Sequence, residues 1–97
     1  MEEQATYRMN GRVVLRRIGE DRLLVPVSGD VARENCVFPI NETGEFMWER
    51  LAKGMPPEEV AQTLVRTFAV DAETARTDCR GFVAALVEQR LLERAEP

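Results

Sequence analysis

The first forty residues carry their hydrophobic positions in short runs that are typical of β-strands. β-Branched and aliphatic residues cluster at 13–18, at 23–27 and at 36–40. The intervening segments 19–21 and 28–30 contain Gly, Asp and Ser, which favour tight turns. Short apolar runs joined by a few turn residues predict a small antiparallel meander of three strands.

From Asn41 onward the spacing of apolar residues is that of a helix. Asn41 is a good N-cap for a first helix that should end near Gly54, and Pro57 suits the first position of a second helix. Asp71 is the expected cap of a third helix, which would be about 20 residues long if it reaches Arg90. The apolar stripe of this third helix consists of Ala75, Cys79, Phe82, Val83, Leu86 and Val87.

The order of the predicted elements defines an α+β fold. Three antiparallel strands followed by three helices indicate a winged-helix-like arrangement. We expect one domain over residues 1–97, with an ordered core of about 10–93, in which Leu91 and Leu92 complete the core. The last residues, 94–97, are expected to fray.

Composition and charge weigh against several classes of function. The chain has 97 residues, a net charge of −4 and a pI near 4.9, which weighs against nucleic-acid binding. No apolar run approaches the ~20 residues of a membrane span, so we expect a cytoplasmic protein. There is no His, and the two cysteines, Cys36 and Cys79, form no CxxC pair. We therefore expect no catalytic site, no metal site and no cofactor.

The most informative segment links the third strand to the first helix. It reads Ile-Asn-Glu-Thr-Gly at 40–44, followed by Met-Trp-Glu at 47–49. This pattern resembles the PqqD family, the small proteins associated with pyrroloquinoline quinone (PQQ) biosynthesis. The resemblance covers roughly residues 10–93, most of the chain. Pro56 and Pro39 depart from it, since Pro56 offers no hydroxyl cap to the second helix and Pro39 removes a backbone donor from the third strand.

The resemblance implies a non-catalytic RiPP recognition element, a module that binds the leader of a ribosomally made precursor peptide. Such a module presents the leader to a modifying enzyme, which by family association is a radical S-adenosylmethionine enzyme. In the family the leader adds as a strand to the third strand and packs against the third helix. On this chain the residues implied for peptide binding are Cys36, Val37, Phe38, Arg76, Arg80, Val83 and Val87. An acidic leader would suit the two arginines.

Two other functions fit the same elements. A winged-helix DNA-binding protein could use Arg76 and Arg80 on its recognition helix, although Glu73 and Asp78 on that helix oppose this. A homodimeric structural subunit could pair through the third strand or the third helix. Trp48 is expected in the core rather than at a binding surface.

Overall fold

A computed structural model of the chain describes residues 5–28 and 37–95. Its elements follow in the order β1 (Thr6–Met9), β2 (Val13–Ile18), β3 (Asp21–Pro26), β4 (Phe38–Ile40), α1 (Glu42–Ala52), α2 (Pro57–Phe68), α3 (Ala72–Glu88) and β5 (Leu92–Ala95). The α+β prediction of a three-stranded antiparallel sheet and three helices is confirmed.

Strands β2, β3 and β4 form that antiparallel sheet in sequence order. Val13 pairs with Pro26 and Ile18 with Asp21, so the turn at Gly19 and Glu20 closes a regular hairpin. Strand β3 ends at Pro26, and the N–H of Val27 beyond it still donates to the Arg12 carbonyl at 2.8 Å. The predicted turn residues Gly29 and Asp30, and also Cys36, lie outside the described residues.

The predicted helix starts and the first helix stop are confirmed. The Asn41 side-chain oxygen accepts a hydrogen bond from the Gly44 N–H at 2.7 Å, and that of Asp71 accepts from the Thr74 N–H at 3.3 Å. At the end of α1, Gly54 has a φ of +98°, a conformation that costs glycine little. Helix α2 begins at Pro57 without a side-chain cap.

Helix α3 is shorter than the sequence indicates. It ends at Glu88 instead of Arg90, after 17 residues. The N–H of Arg90 donates to the Val87 carbonyl, and the N–H of Leu91 donates to the Leu86 carbonyl, which is the Schellman pattern. Arg90 occupies the left-handed position after the helix, with a φ of +65°. A glycine at this position would have predicted the end of the helix from the sequence.

A second, two-stranded sheet was not expected. Strands β1 and β5 pair antiparallel, with Tyr7 opposite Arg94 and Met9 opposite Leu92. The prediction that the chain frays from Arg94 is therefore wrong for Arg94 and Ala95, whereas Glu96 and Pro97 lie outside the described residues. Arg8 and Glu93 face each other in this ladder, and Arg8 Nε lies 2.7 Å from Glu93 Oε2.

The hydrophobic core lies where the helices meet the two sheets. All three helices and all five strands of the described residues contribute buried or partly buried apolar side chains to it. Trp48 is 4% exposed, so its predicted place in the core is confirmed, and Leu91 and Leu92 are buried as expected. The largest fully buried side chains among the described residues are Leu24, Leu51, Leu64, Leu86, Leu91, Leu92, Val60 and Cys79.

Candidate functional site

Strand β4 is the edge of the three-stranded sheet. It pairs with β3 on one side, and within residues 5–28 and 37–95 no strand pairs with its other side. An unpaired strand edge offers backbone donors and acceptors to another extended chain. The open side of β4 is therefore a place where a peptide strand can add.

Pro39 determines which backbone groups of β4 are available. It lies opposite Leu23 and has no N–H, so this pair cannot exchange two hydrogen bonds and takes the non-hydrogen-bonded position of the ladder. Phe38 and Ile40 consequently bond to β3. By the same alternation, the Pro39 carbonyl and both backbone groups of Val37 face the open edge.

A groove runs beside this edge, between β4 and α3. Its volume is about 540 Å³, and we call it the β4 groove. Residues 38–40 form one wall, and Thr77, Asp78, Gly81 and Phe82 of α3 form the other. The start of α1, including Thr43, closes one end.

Gly81 opens the helical wall of this groove. It is exposed in the interior of α3, and a Cβ atom built at this position would meet no atom within 4 Å. Glycine inside a helix costs about 1 kcal/mol relative to alanine. The side-chain-free patch allows a peptide backbone to approach the helix closely.

The start of α1 is attached tightly to the sheet that carries β4. A Cβ atom on Gly44 would lie only 3.0 Å from Ile40 Cβ, so glycine permits this close packing. Next to it, Glu45 is 7% exposed and accepts hydrogen bonds from Arg17 and Arg22, the latter over 2.6 Å from Nε to Oε1. These bonds hold the pKa of the Glu45 carboxyl below its usual range, with the Arg17 bond the largest contribution.

The predicted peptide-binding residues do not share one groove. Val37 and Phe38 lie at β4, where Val37 is 52% exposed. The four predicted residues of α3, by contrast, line a second cavity of about 610 Å³, bounded also by α2, β1 and β5. These four residues are Arg76, Arg80, Val83 and Val87. We call this second cavity the arginine cavity.

The role of these residues in peptide binding stays a prediction, but a different side of α3 lies next to β4. Residues Thr77, Asp78 and Gly81 are the ones that face the β4 groove. The signal that could have found them is Gly81 itself, an unfavourable residue in an otherwise regular helix.

Cys79 is a buried residue with a structural role in the packing of α3 against α2. Its side chain is 1% exposed, and Sγ lies 3.4 Å from the Pro57 carbonyl oxygen, to which it donates. Burial, with a smaller effect of Glu58, raises the pKa of the Cys79 thiol to about 11. A thiol with this pKa is almost entirely protonated at neutral pH and is a poor nucleophile.

Residues 5–28 and 37–95 contain neither a metal-binding cluster nor a helix that could span a membrane. These residues contain no cluster of three or more Cys, Asp or Glu side chains that could hold a metal ion. Each helix in the same ranges is too short or too polar to cross a lipid bilayer.

The fold and the β4 groove together define a small α+β domain with an open edge strand beside a helix. A family model described as "Coenzyme PQQ synthesis protein D (PqqD)" matches residues 23–92. The chain belongs to the PqqD family, and the resemblance read from residues 40–49 is confirmed. No curated protein matches the chain at a significant level.

Two solved structures have a similar fold. One, described as "TbiB1 in Complex with the TbiA(beta) Leader Peptide", is 26% identical with a TM-score of 0.73, and the match covers 93% of this chain and 99% of that chain. The other, described as "Lasso peptide synthetase B1 complexed with the leader peptide", is 22% identical with a TM-score of 0.74, covering 90% and 96% respectively.

Proposed function

We propose that this protein binds the leader of a ribosomally made precursor peptide and presents it to a modifying enzyme, in PQQ-type or other RiPP biosynthesis. The observation that carries the proposal is the open edge of β4 beside a preformed groove. Membership of the PqqD family, and the fold shared with TbiB1, which was solved with a leader peptide, support it.

Strand addition accounts for how such a site would bind a flexible peptide. The Val37 N–H would donate to the leader, while the Val37 and Pro39 carbonyls would accept from it. Each backbone hydrogen bond is worth about 0.5–1.5 kcal/mol net. Since β4 offers few donors, apolar side chains of the leader must supply much of the affinity, packing between β4 and α3.

The lining of the β4 groove also constrains the leader. Apolar surface comes from Phe38, Ile40 and Phe82, and Asp78 is the one charged residue among the described lining residues. The expectation of an acidic leader depended on Arg76 and Arg80, which line the other cavity instead. The β4 groove favours a leader with apolar side chains at alternate positions and no carboxylate opposite Asp78.

The protein acts, in this proposal, as a carrier without catalysis of its own. The modifying enzyme would be a radical S-adenosylmethionine enzyme, in keeping with the family, and would supply the chemistry. The complex would form in the cytoplasm, where the precursor is synthesised. The purified protein should leave the mass of a bound peptide unchanged, and turnover by the protein alone would contradict this part of the proposal.

The proposal is tested by selecting a displayed library of random 12-residue peptides on the protein. We expect enriched peptides with alternating apolar residues, whose binding is lost in Gly81→Leu because the new side chain fills the groove. The matched control is Gln62→Leu, which adds the same side chain at an exposed position of α2. Enrichment of no peptide family, or equal binding by both variants, would contradict the proposal.

A further inference from the structure

The arginine cavity has the features of a second binding surface, which leader binding at β4 does not use. It is larger than the β4 groove, at about 610 Å³, and lies against the other side of α3. Its apolar surface comes from elements on three sides and includes Ala61, Val83 and Val87. Val87, one of its lining residues, is 40% exposed and so presents apolar surface to an occupant.

Three arginines from two elements surround this apolar surface. Arg76 and Arg80 come from α3, and Arg94 comes from β5. None of the three takes part in the ion pairs found among residues 5–28 and 37–95, which involve Arg8, Arg17, Arg22 and Arg50. In a chain with a net charge of −4, the cavity thus gathers three cations against two carboxylates, Glu58 and Glu88.

This combination indicates the chemistry of the occupant. A guanidinium group binds a carboxylate through two parallel hydrogen bonds, and it does so best beside apolar surface that excludes water. The apolar surface requires a hydrophobic anchor on the same occupant. A nucleic acid fits less well, because a phosphate backbone would meet Glu58 and Glu88 and would leave the apolar surface uncovered.

We infer that the arginine cavity docks an acidic segment with an apolar anchor on the modifying enzyme, while the leader occupies β4. This inference rests on the proposed function for the identity of the partner. Since α3 separates the two surfaces, both can be occupied at once, and a substitution in one should leave the other intact. The two proposals can therefore fail independently.

The test uses two synthetic peptides as probes, Ac-(EELL)3-NH2 and its basic counterpart Ac-(KKLL)3-NH2, titrated into the isotopically labelled protein. We expect the acidic peptide to shift the amide resonances of Arg76, Arg80, Val87 and Arg94. The amide resonances of Val37, Phe38 and Ile40 in β4 and next to it should not shift. The basic peptide should not shift the amide resonances of the four cavity residues. Charge reversal in the double variant Arg76→Glu, Arg80→Glu should raise the Kd of the acidic peptide by about tenfold or more. A tenfold change corresponds to roughly 1.4 kcal/mol of binding free energy.

The matched control is Arg66→Glu, an exposed reversal on α2 away from the cavity. It should leave the affinity for the acidic peptide unchanged. The inference is overturned if the acidic peptide shifts no cavity amide up to about 1 mM. Three other outcomes would overturn the inference as well. The acidic peptide could shift only resonances of residues 37–40, or Arg66→Glu could lose as much affinity for it as the double reversal does. Duplex DNA could also shift the cavity amides more strongly than the acidic peptide.

Discussion

Phe38 of β4 and Phe82 of α3 meet edge to face, with ring centroids 6.4 Å apart and planes inclined by 73°. Such a pair contributes about 0.5–1.5 kcal/mol beyond the burial of its surface. The contact holds the edge strand at a fixed distance from the helix. The β4 groove is consequently formed before any peptide arrives, which lowers the conformational cost of binding.

Hydrogen exchange should identify the bound edge at single-residue resolution. Because Pro39 has no N–H and Phe38 and Ile40 already bond to β3, only the Val37 amide of these residues is free to bond to an added strand. We expect the Val37 amide to gain protection on binding a peptide selected for the β4 groove. The Phe38 and Ile40 amides should change little, and an unprotected Val37 in a saturated complex would exclude strand addition.

Gly81→Ala should stabilise the fold. The new Cβ atom meets nothing within 4 Å and removes the helix cost of glycine, about 1 kcal/mol. For a domain of this size that corresponds to a rise of roughly 4–8 °C in the melting temperature, measured by circular dichroism. The control is Gly54→Ala, which should lower the melting temperature because Gly54 has a φ of +98°.

Trp48→Ala should be severely destabilising. The side chain is 4% exposed in the core, and truncation of a buried aromatic costs about 3–5 kcal/mol. Against a total stability of about 5–15 kcal/mol, this loss could unfold the domain. Chemical denaturation measures the effect, and Trp48→Phe should recover most of the stability. An unchanged midpoint for Trp48→Ala would show that the indole is not part of the core.

The interaction of Glu45 with two arginines should make stability fall in acid. Its pKa is lowered in the folded state, so the unfolded chain binds the proton more readily. The stabilisation is therefore complete above the unfolded pKa, near 4.5, and is lost as the pH falls through the folded value. Melting temperatures measured between neutral and acid pH should decline less in Glu45→Gln than in the wild type.

Glu49→Gln is the control for this prediction, since Glu49 is an exposed carboxylate on the same helix. Its Oε1 lies 3.9 Å from Arg50 Nη1, a longer contact than the one between Glu45 and Arg22. It should retain the pH dependence of the wild type. At neutral pH, Glu45→Gln itself should lose about 1–3 kcal/mol, because two charge-assisted hydrogen bonds are removed from a buried position. Identical pH profiles for the wild type and Glu45→Gln would show that the Arg17 and Arg22 contacts contribute nothing.

The Cys79 thiol should be nearly inert in the folded protein. With a pKa of about 11, roughly one thiol in a thousand is ionised at pH 8. In a Cys36→Ser background, where Cys79 is the remaining cysteine, we expect slow reaction with Ellman's reagent. Addition of guanidinium chloride should restore rapid labelling, whereas rapid labelling of the folded protein would contradict the burial of Cys79.

Local signals were sufficient to predict most of this fold. Asn41, Gly54, Pro57 and Asp71 mark helix boundaries through chemistry that acts within one turn, and the structure places a boundary at each of them. The end of α3 was missed because Arg90 adopts the left-handed conformation without the glycine that normally announces it. The propensity of a residue says little about a position that tertiary packing imposes.

The second sheet and the division of α3 between two surfaces could not be predicted for a different reason. The contact between Arg8 and Glu93 joins residues that are 85 positions apart, and no local pattern encodes such a pairing. Likewise, the periodicity of α3 identifies its buried stripe but not which flank faces β4. Arg76 and Thr77 are both exposed neighbours on the same helix, and only the packing of the helix decides which of them meets the strand.

The pairing of β1 with β5 also determines how the domain responds to mechanical force. Thr6 lies opposite Ala95, so the two ends of the described chain leave the ladder side by side, about 4.5–5.5 Å apart. A host protein could carry the domain as an insertion in one of its loops without stretching either junction. Tension applied to the same two points would separate the paired residues one pair at a time, from Thr6 and Ala95 toward Met9 and Leu92, where the ladder joins the core.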